Sequence, residues 1–448
     1  MAAARAEGRP RRYAQVGLGA RSWLYSFALG DRARGRGELV GLCDRNAGRL
    51  EQRMQWARAN GFAPAGCGPE GFEAMLRDAA VDEVIVATDD RHHDAYIAPA
   101  LEAGCDVVTE KPLTIDDERL ARVLEVRART GRRLRVAFNY RYAPARAQVK
   151  ELLASGAIGE VVSVAFEWLL DTQHGADYFR RWHRRKENSG GLLVHKATHH
   201  FDLVNWWLDT TPVAVRASGA RRFYVPATAA RLGLERAGPR CLGCAEAHRC
   251  PFHLDLEARK ELAAIYLAHE AHDGYWRDRC VFDPEIDIED AMSAVVEYAS
   301  GAQLAYSLHA FAPYEGYRVA FNGTRGRLEH RARETSYVSG DGRVPGLFVK
   351  EETAIELFPQ RGEPREIPVV AGEGGHGGGD ARLIEDLFDP APPPDPLGRA
   401  ADHAAGAWSV VVGVAANRSI ATGETVSIAS LRSAVWLDAS AAGRDGRL

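Results

Sequence analysis

The stretch EVIVATDDRHHDAYIAPALEAGCDVVTEKP, residues 83–112, runs through an apolar strand, an amphipathic helix and a second apolar strand. Apolar strands that alternate with helices are typical of a parallel sheet covered by helices on both faces. Polar side chains follow each strand, with Thr88 after the first and Glu110 and Lys111 after the second. Ligands of such sheets bind beyond the carboxyl ends of the strands, so these residues are predicted to border a site.

The same alternation extends in both directions from this stretch. Upstream, the strand RYAQV (12–16) precedes the helix-like SWLYSFAL, and the strand ELVGLC (38–43) follows. Downstream, the helix-like DDERLARVLEVRARTG leads to the strand of RLRVAFNYR, where Asn139 and Arg141 again follow the strand. The sequence therefore predicts an α/β domain of the Rossmann type over residues 1–136, with a doubly wound parallel sheet.

The remaining residues, 137–448, carry a different pattern. The segments DAMSAVVEYA, AQLAYSLHAF and YRVAFNGTRGRLEH alternate apolar and polar residues and are separated by glycine-containing turns. This alternation is typical of antiparallel strands with one buried face. We expect an α+β domain with a large, mostly antiparallel sheet. Because an open sheet face needs a cover, we also expect a homodimer or homotetramer.

A Gly-x-Gly pair lies at the turn between the first strand and the first helix. Such a turn lets a pyrophosphate approach backbone amides and a helix N-terminus. The predicted contacts in this turn are Gly17, Gly19, Ala20 and Arg21. Asp44 ends the second strand and can accept hydrogen bonds from ribose hydroxyls, which favours NAD, whereas Arg45 leaves NADP open. Since Ser22 stands where a third glycine is expected, an ordinary glycine turn is the alternative.

A second group of polar residues lies in GGLLVHKATHHFDLVNWWL, residues 190–208. On one continuous helix, His195, His199 and Asp202 would share a face, at positions i, i+4 and i+7. Histidine titrates near neutral pH and suits acid/base catalysis. Two alternatives are histidines that are buried and paired in the core, and a metal held by His195 and His199.

These motifs resemble the Gfo/Idh/MocA oxidoreductases. The resemblance lies in Glu110-Lys111-Pro112, in VAFNYRYAP and in the stretch that contains His199 and Asp202. The sequence departs from the family pattern at Asp89, where a proline is usual, and at His195, where an aspartate is usual. The departure at His195 puts the family's proton relay in doubt.

The resemblance implies roles for particular residues. Lys111 and His199 would carry the acid/base work, with His195 relaying or orienting; alternatively, Lys111 polarises the oxygen while His199 takes the proton. The residues that would contact the cofactor, besides the glycine turn, Asp44 and Arg45, are Thr88, His93, Glu110, Lys111 and Asn139. The residues that would contact the substrate are Lys111, Arg141, His195, His199 and Asp202. Tyr178 is a further pocket candidate, because it shortly precedes the Gly190-Gly191 pair. His376 and Asp380 lie in a glycine-rich loop that is either a hinge or a further substrate contact.

The implied function is an NAD(P)-dependent oxidoreductase that acts on a secondary hydroxyl of a sugar, glycoside or cyclitol. One alternative is an NAD-dependent, redox-neutral glycoside hydrolase, which oxidises, eliminates, hydrates and reduces in turn. Another is a regulator that binds nucleotide without turnover.

Four cysteines cluster in a segment that the resemblance does not require, roughly residues 225–288, here called the insertion. Cys241, Cys244 and Cys250 are closely spaced, and Cys280 follows. Clustered thiolates predict a closed structural zinc site, with an iron–sulfur cluster, free thiols or disulfides as alternatives. The insertion itself is expected to be a lid or an oligomer contact.

Composition excludes several classes of protein. The chain of 448 residues has a formal net charge of only −4, which gives no electrostatic reason to expect nucleic acid or membrane as a partner. No apolar run reaches the length of a membrane span. Seven cysteines are an odd number, which favours a reducing compartment. We expect a cytoplasmic protein with a small-molecule substrate.

Overall fold

A computed structural model describes residues 9–31, 33, 35–334, 352–372 and 375–441. The N-terminal part holds a six-stranded parallel sheet within this described range, in the order β3-β2-β1-β4-β5-β6. Its strands are β1 (Arg12–Val16), β2 (Glu38–Cys43), β3 (Ala65–Cys67), β4 (Glu83–Val86), β5 (Asp106–Thr109) and β6 (Leu134–Val136). Its helices are α1 (Trp23–Gly30), α2 (Ala47–Ala59), α3 (Phe72–Asp78), α4 (His93–Glu102) and α5 (Asp117–Thr130). The predicted Rossmann fold is confirmed.

Local sequence accounts for the helix boundaries. Helix α5 begins where the Asp116 side chain accepts a hydrogen bond from the Arg119 amide, and it ends at Gly131, whose φ is 64°. A carboxylate N-cap and a left-handed glycine after the last turn are the preferred ends of a helix. The helix buries Leu120 and Leu124 against the sheet.

A nine-stranded sheet follows in the described chain, in the order β14-β13-β12-β11-β7-β10-β9-β8-β15. Its pairs are antiparallel except β7 with β10, so the prediction of a mostly antiparallel sheet is confirmed. The strands are β7 (Val161–Asp171), β8 (Pro212–Ala220), β9 (Ala291–Tyr298), β10 (Gln303–Ala312), β11 (Gly316–Gly323), β12 (Gly326–Arg333), β13 (Glu352–Pro359), β14 (Arg365–Ile367) and β15 (Val426–Ser427). The insertion lies between β8 and β9.

The helices of this second part cover one face of its sheet and the boundary with the first. They are α6 (Pro144–Ala154), α7 (Thr172–Arg180), α8 (Lys186–Ser189), α9 (Leu192–His195), α10 (Thr198–Leu208), α11 (Pro226–Arg231), α12 (Lys260–Ile265), α13 (Glu270–Asp273), α14 (Gly379–Phe388), α15 (His403–Thr422) and α16 (Ala434–Ala441). Among the residues with described coordinates, no helix is long and apolar enough to cross a membrane.

The prediction of a single helix after Gly190 is wrong, because the helix is broken between α9 and α10. The amide of Ala197 bonds the carbonyl of Leu192 at 2.8 Å, which closes α9 with a wider turn. The buried helix α15 lies directly against α9. A Cβ on Gly413 would be 2.4 Å from the Leu193 carbonyl oxygen, so this close approach requires glycine. The contact fixes the position of α9 and therefore of His195.

Candidate active site

A cavity of about 960 Å³ runs along the carboxyl ends of β1, β4 and β5 and reaches α9 and α10. Its volume is at the upper end of the range of about 300–1,000 Å³ for ligand pockets. The predicted site residues that line it are Gly17, Gly19, Ala20, Arg21, Asp44, Arg45, Thr88, Glu110, Lys111, Asn139, Tyr178, His195 and His199. The structure thus brings the predicted nucleotide turn and the predicted acid/base groups into one space.

The centre of the cavity holds a chain of three hydrogen-bonded groups. Nδ1 of His195 lies 2.5 Å from Oδ2 of Asp90, and its Nε2 lies 3.2 Å from Nζ of Lys111. Each side chain comes from a different element, because Asp90 follows β4, Lys111 follows β5 and His195 ends α9. With Nδ1–H donated to Asp90, the Nε2 lone pair accepts from Lys111. A carboxylate therefore supports the lysine through the imidazole.

Burial governs the protonation of these groups. It lowers the pKa of Lys111 to about 8, although Asp90 and Glu110 act in the opposite direction. Burial, with the charge of Lys111 next in importance, also lowers the pKa of His195 and His199 well below the usual histidine value. Both imidazoles are therefore neutral at neutral pH, and the pKa of Lys111 lies close to it. Burial also raises the pKa of Asp90 well above the usual aspartate value, with the charge of Lys111 acting in the opposite direction.

His199 lies on α10 at the other side of the same cavity. Its ring stacks on Tyr140 with centroids 4.0 Å apart and an angle of 12° between the planes. The Tyr140 hydroxyl accepts a hydrogen bond of 3.0 Å from Nζ of Lys196, which is buried and also lines the cavity. The stack fixes the orientation of His199, and Lys196 adds a second cation to this side.

The turn after β1 presents the features that a dinucleotide needs. Gly17 has φ of 81°, and a Cβ there would lie 2.5 Å from the amide nitrogen of Thr88, so no other residue fits without movement. Oδ2 of Asp44 accepts from the Leu18 amide at 2.6 Å, and its Oδ1 accepts from Arg49 at 3.2 Å. These contacts hold the carboxylate at the cavity wall. The residues present therefore fit a bound nucleotide.

Arg21 and Glu110 connect the glycine turn to the end of β5. Nε of Arg21 donates to Glu110 at 2.6 Å, and the Tyr25 hydroxyl donates to the same oxygen at 2.7 Å. Although burial raises the pKa of Glu110, Arg21 and Tyr25 outweigh it and keep the pKa below its usual value. Asp380, at the start of α14, accepts hydrogen bonds from Arg21 and from the side-chain amide of Asn139. These contacts close this side of the site.

Three predicted site residues lie outside the cavity. His93 is fully buried, with Nδ1 2.8 Å from the Pro112 carbonyl oxygen. Arg141 and Asp202 form a buried ion pair, in which the guanidinium donates two hydrogen bonds to the carboxylate, of 2.7 and 2.5 Å. Neither residue lines the cavity, because the Asp202 side chain lies against Arg141 in the segment that follows β6. Their geometry is that of a packing contact between α10 and that segment.

The zinc prediction is not supported. In the part of the chain with described coordinates, no three His, Cys, Asp or Glu side chains are grouped so as to hold a metal ion. Cys241, Cys244, Cys250 and Cys280 do line one cavity of about 20 Å³, as free thiols. Burial raises the pKa of Cys250 to about 11, and Sγ of Cys241 accepts from the Leu254 amide at 3.4 Å. These four cysteines therefore pack around one small cavity within the insertion.

Sequence reasoning missed Asp90, Tyr140 and Lys196. A signal was present for Asp90, which adjoins the departure from the family pattern at Asp89. Lys196 lies within the quoted histidine stretch, where a buried lysine needs a partner. For Tyr140 the sequence offers only its position between Asn139 and Arg141.

Comparisons with known proteins agree with this architecture. Residues 11–138 match the description "Oxidoreductase family, NAD-binding Rossmann fold", and residues 150–428 match "Oxidoreductase family, C-terminal alpha/beta domain". The Bacillus subtilis (strain 168) protein YteT, which bears the name of an oxidoreductase, is 43% identical over 372 residues, or 81% of this chain and 85% of that protein.

More distant relatives share parts of the chain or only the fold. An inositol 2-dehydrogenase of Rhizobium meliloti (strain 1021) is 32% identical over 165 residues, which are 37% of this chain and 48% of that one. The crystal structure of the WlbA dehydrogenase from Bordetella pertussis, in complex with NADH and UDP-GlcNAcA, has a TM-score of 0.62. It is 19% identical, and the match covers 94% of this chain and 99% of that one. The C-terminal family match alone spans more than half of the sequence, so this chain belongs to the Gfo/Idh/MocA family of oxidoreductases.

Proposed function

We propose that this oxidoreductase transfers a hydride between NAD(P) and a secondary hydroxyl of a carbohydrate or cyclitol, with Lys111 as its general base. The observation that carries the proposal is the hydrogen-bonded chain Asp90–His195–Lys111. A lysine whose pKa is lowered to about 8 can take a proton from a hydroxyl near neutral pH. NAD is the expected dinucleotide because Asp44, held at the cavity wall, suits a free ribose hydroxyl.

The residues of the chain divide the work. The nicotinamide, when bound, accepts the hydride. The Lys111 amine takes the hydroxyl proton, and the resulting ammonium is stabilised by His195, whose other nitrogen bonds Asp90. His199, which lines the same cavity and stacks on Tyr140, would hydrogen-bond the reacting oxygen. The Gly17 turn and Asp44 hold the nucleotide.

The test follows nicotinamide absorbance while the purified protein meets NAD or NADP and a panel of sugars, cyclitols and glycosides. The expected result is steady formation of reduced cofactor with one substrate class. Lys111→Ala should abolish it, whereas Lys150→Ala, on α6 outside the cavity, should not. Cofactor binding without turnover of any compound, measured by fluorescence, would support a regulator and reject the proposal.

One observation favours a second candidate, the redox-neutral glycoside hydrolase. A further cavity of about 1050 Å³ adjoins the first and shares Tyr140, His174 and His376 with it. It is lined by polar groups such as Arg146 and Glu315, and a sugar's substituent can extend into it. Glycosides would then be cleaved without net formation of NADH. Chromatography of the products from the same reactions separates this outcome from a dehydrogenase.

We also propose that the chain is a homodimer or homotetramer in the cytoplasm. The face of the nine-stranded sheet that its helices leave open exposes Val295 of β9, at 47%. Burying such a face is a common basis for symmetric association. The seven cysteines are free, as expected in a reducing compartment. Light scattering of the wild type and of Val295→Lys would test the assembly, since a charged variant should dissociate it.

A further inference from the structure

One segment of the insertion crosses from the second part of the molecule to the nucleotide end of the cavity. This segment, residues 260–277, is here called the clasp and contains α12 and α13. Tyr266 and Tyr275 from the clasp line the cavity beside the glycine turn. The clasp therefore forms part of the cavity wall, although it lies more than 200 residues away from the turn in sequence.

The clasp is bonded to α2, on the Rossmann side of the cavity. The side-chain amide of Asn46 donates to the backbone carbonyl of His269 at 2.9 Å, and the Arg49 side chain donates to Asp273 at 2.7 Å. Arg49 is the same arginine that bonds Asp44. At Gly48 a Cβ would lie 2.3 Å from Nδ1 of His269, so the glycine permits this close approach. The clasp and α2 are thus complementary in shape and charge.

The other end of the clasp is fixed to the second part of the molecule. Arg277 makes two hydrogen bonds to Asp177 of α7, at 3.0 and 2.6 Å. Within the insertion, Arg240 makes two hydrogen bonds to Glu270, at 3.0 and 2.9 Å. The clasp is therefore held at both ends and bridges the mouth of the cavity.

The hydroxyl of Tyr266 lies at the point where a pyrophosphate would bind. It accepts a hydrogen bond of 3.0 Å from the amide of Ala20, the first residue of the helical turn after the glycine pair. Such amides at a helix start are donors for phosphate oxygens. A phosphate that takes the Ala20 amide leaves the Tyr266 hydroxyl free to donate, and a phosphate oxygen beside it is the natural acceptor.

We propose that the clasp closes over the bound dinucleotide, with the Tyr266 hydroxyl as a pyrophosphate ligand and the Asp273–Arg49 pair as its latch. The proposal rests on the proposed function, because it requires a dinucleotide in this cavity. Its consequence is slow release: the nucleotide leaves only after the contacts between clasp and α2 are broken. The cofactor then stays bound through successive turnovers and is oxidised and reduced in place.

The experiment measures NADH dissociation from the full-length protein. Protein loaded with NADH is mixed with excess NAD in a stopped-flow instrument, and the loss of bound NADH fluorescence gives the rate. Tyr266→Phe and Asp273→Asn should each raise the rate about tenfold, the effect of one lost hydrogen bond to a charged group. Glu261→Gln is the matched control, because Glu261 is an exposed residue of α12 in the same segment; its rate should equal that of the wild type.

Hydrogen exchange provides a second readout that does not depend on the variants. Peptides from residues 260–277 should exchange more slowly when NADH is bound. Unchanged NADH dissociation rates in both variants, together with unchanged hydrogen exchange in the clasp, would overturn the proposed role of the clasp while leaving the proposed function intact. A wild-type protein that binds neither NADH nor NADPH would overturn both proposals.

Discussion

Substituting Asp90 by asparagine tests the hydrogen-bonded chain at its far end. Asn keeps the shape of the side chain and can still accept from Nδ1–H of His195, but it removes the negative charge. Asp90 is the first of the charges that hold the pKa of Lys111 up against the effect of burial. Without it, the pKa of Lys111 should fall below its value of about 8.

The size of the change follows from the geometry. Hydrogen bonds of 2.5 and 3.2 Å across one imidazole ring put the carboxylate and the ammonium about 8 Å apart. At an effective dielectric constant of about 20, two unit charges at that separation interact by about 2 kcal/mol. That energy corresponds to a pKa lower by about 1.5. The pKa of Lys111 in the variant should therefore be about 6.5.

The assay is the pH profile of kcat/KM with the best substrate of the panel. Lys111 acts as a base only when neutral, so wild-type activity should fall as pH drops through about 8. In Asp90→Asn the same fall should occur at about pH 6.5. The plateau of kcat/KM above that pH should be lower, because a weaker base removes the proton less effectively. Asp94→Asn, which pairs with Arg119 and Arg122 outside the cavity, should keep the wild-type profile. A variant profile that coincides with that of the wild type would refute the charge coupling.

Three further predictions concern individual side chains. His199→Asn should lower kcat by about 10²–10³-fold, the usual cost of losing one hydrogen bond to the reacting oxygen, with the NADH dissociation constant nearly unchanged by fluorescence titration. Arg141→Ala leaves Asp202 as an unpaired buried charge and should cost about 3–5 kcal/mol in urea unfolding, whereas replacing both residues by apolar ones should recover most of that loss. Gly17→Ala forces a Cβ against Thr88 at positive φ and should destabilise the protein by about 1–3 kcal/mol and weaken NADH binding, measured by the same two methods.

The sheets and most helices could be predicted because their signals are local. Strand and helix periodicities, the Asp116 cap and Gly131 or Gly423 at helix ends all lie within a few residues of the element they define. The cavity was predictable as a location, since it lies at the carboxyl ends of parallel strands.

The chemistry inside the cavity was only partly predictable because it depends on distant partners. Asp90 and His195 are 105 positions apart, and Arg141 and Asp202 are 61 apart. The pattern placed His195, His199 and Asp202 on one continuous helix face, but the helix is broken between α9 and α10. His195 and His199 still line one cavity, whereas Asp202 bonds Arg141 outside it. The cysteine spacing predicted a zinc site, which is not supported. The four cysteines do line one small cavity, but spacing alone does not distinguish metal ligands from packed thiols.

The most direct test of the central claim follows one hydrogen atom. A substrate deuterated at the carbinol carbon is mixed with the NAD-loaded protein, and the reduced cofactor is examined by mass spectrometry after a single turnover. We expect deuterium to appear in NADH as the substrate is oxidised. Lys111→Ala should still bind NAD but should show neither substrate oxidation nor labelled NADH. Oxidation without label in the cofactor, or full transfer in Lys111→Ala, would contradict hydride transfer with Lys111 as the base.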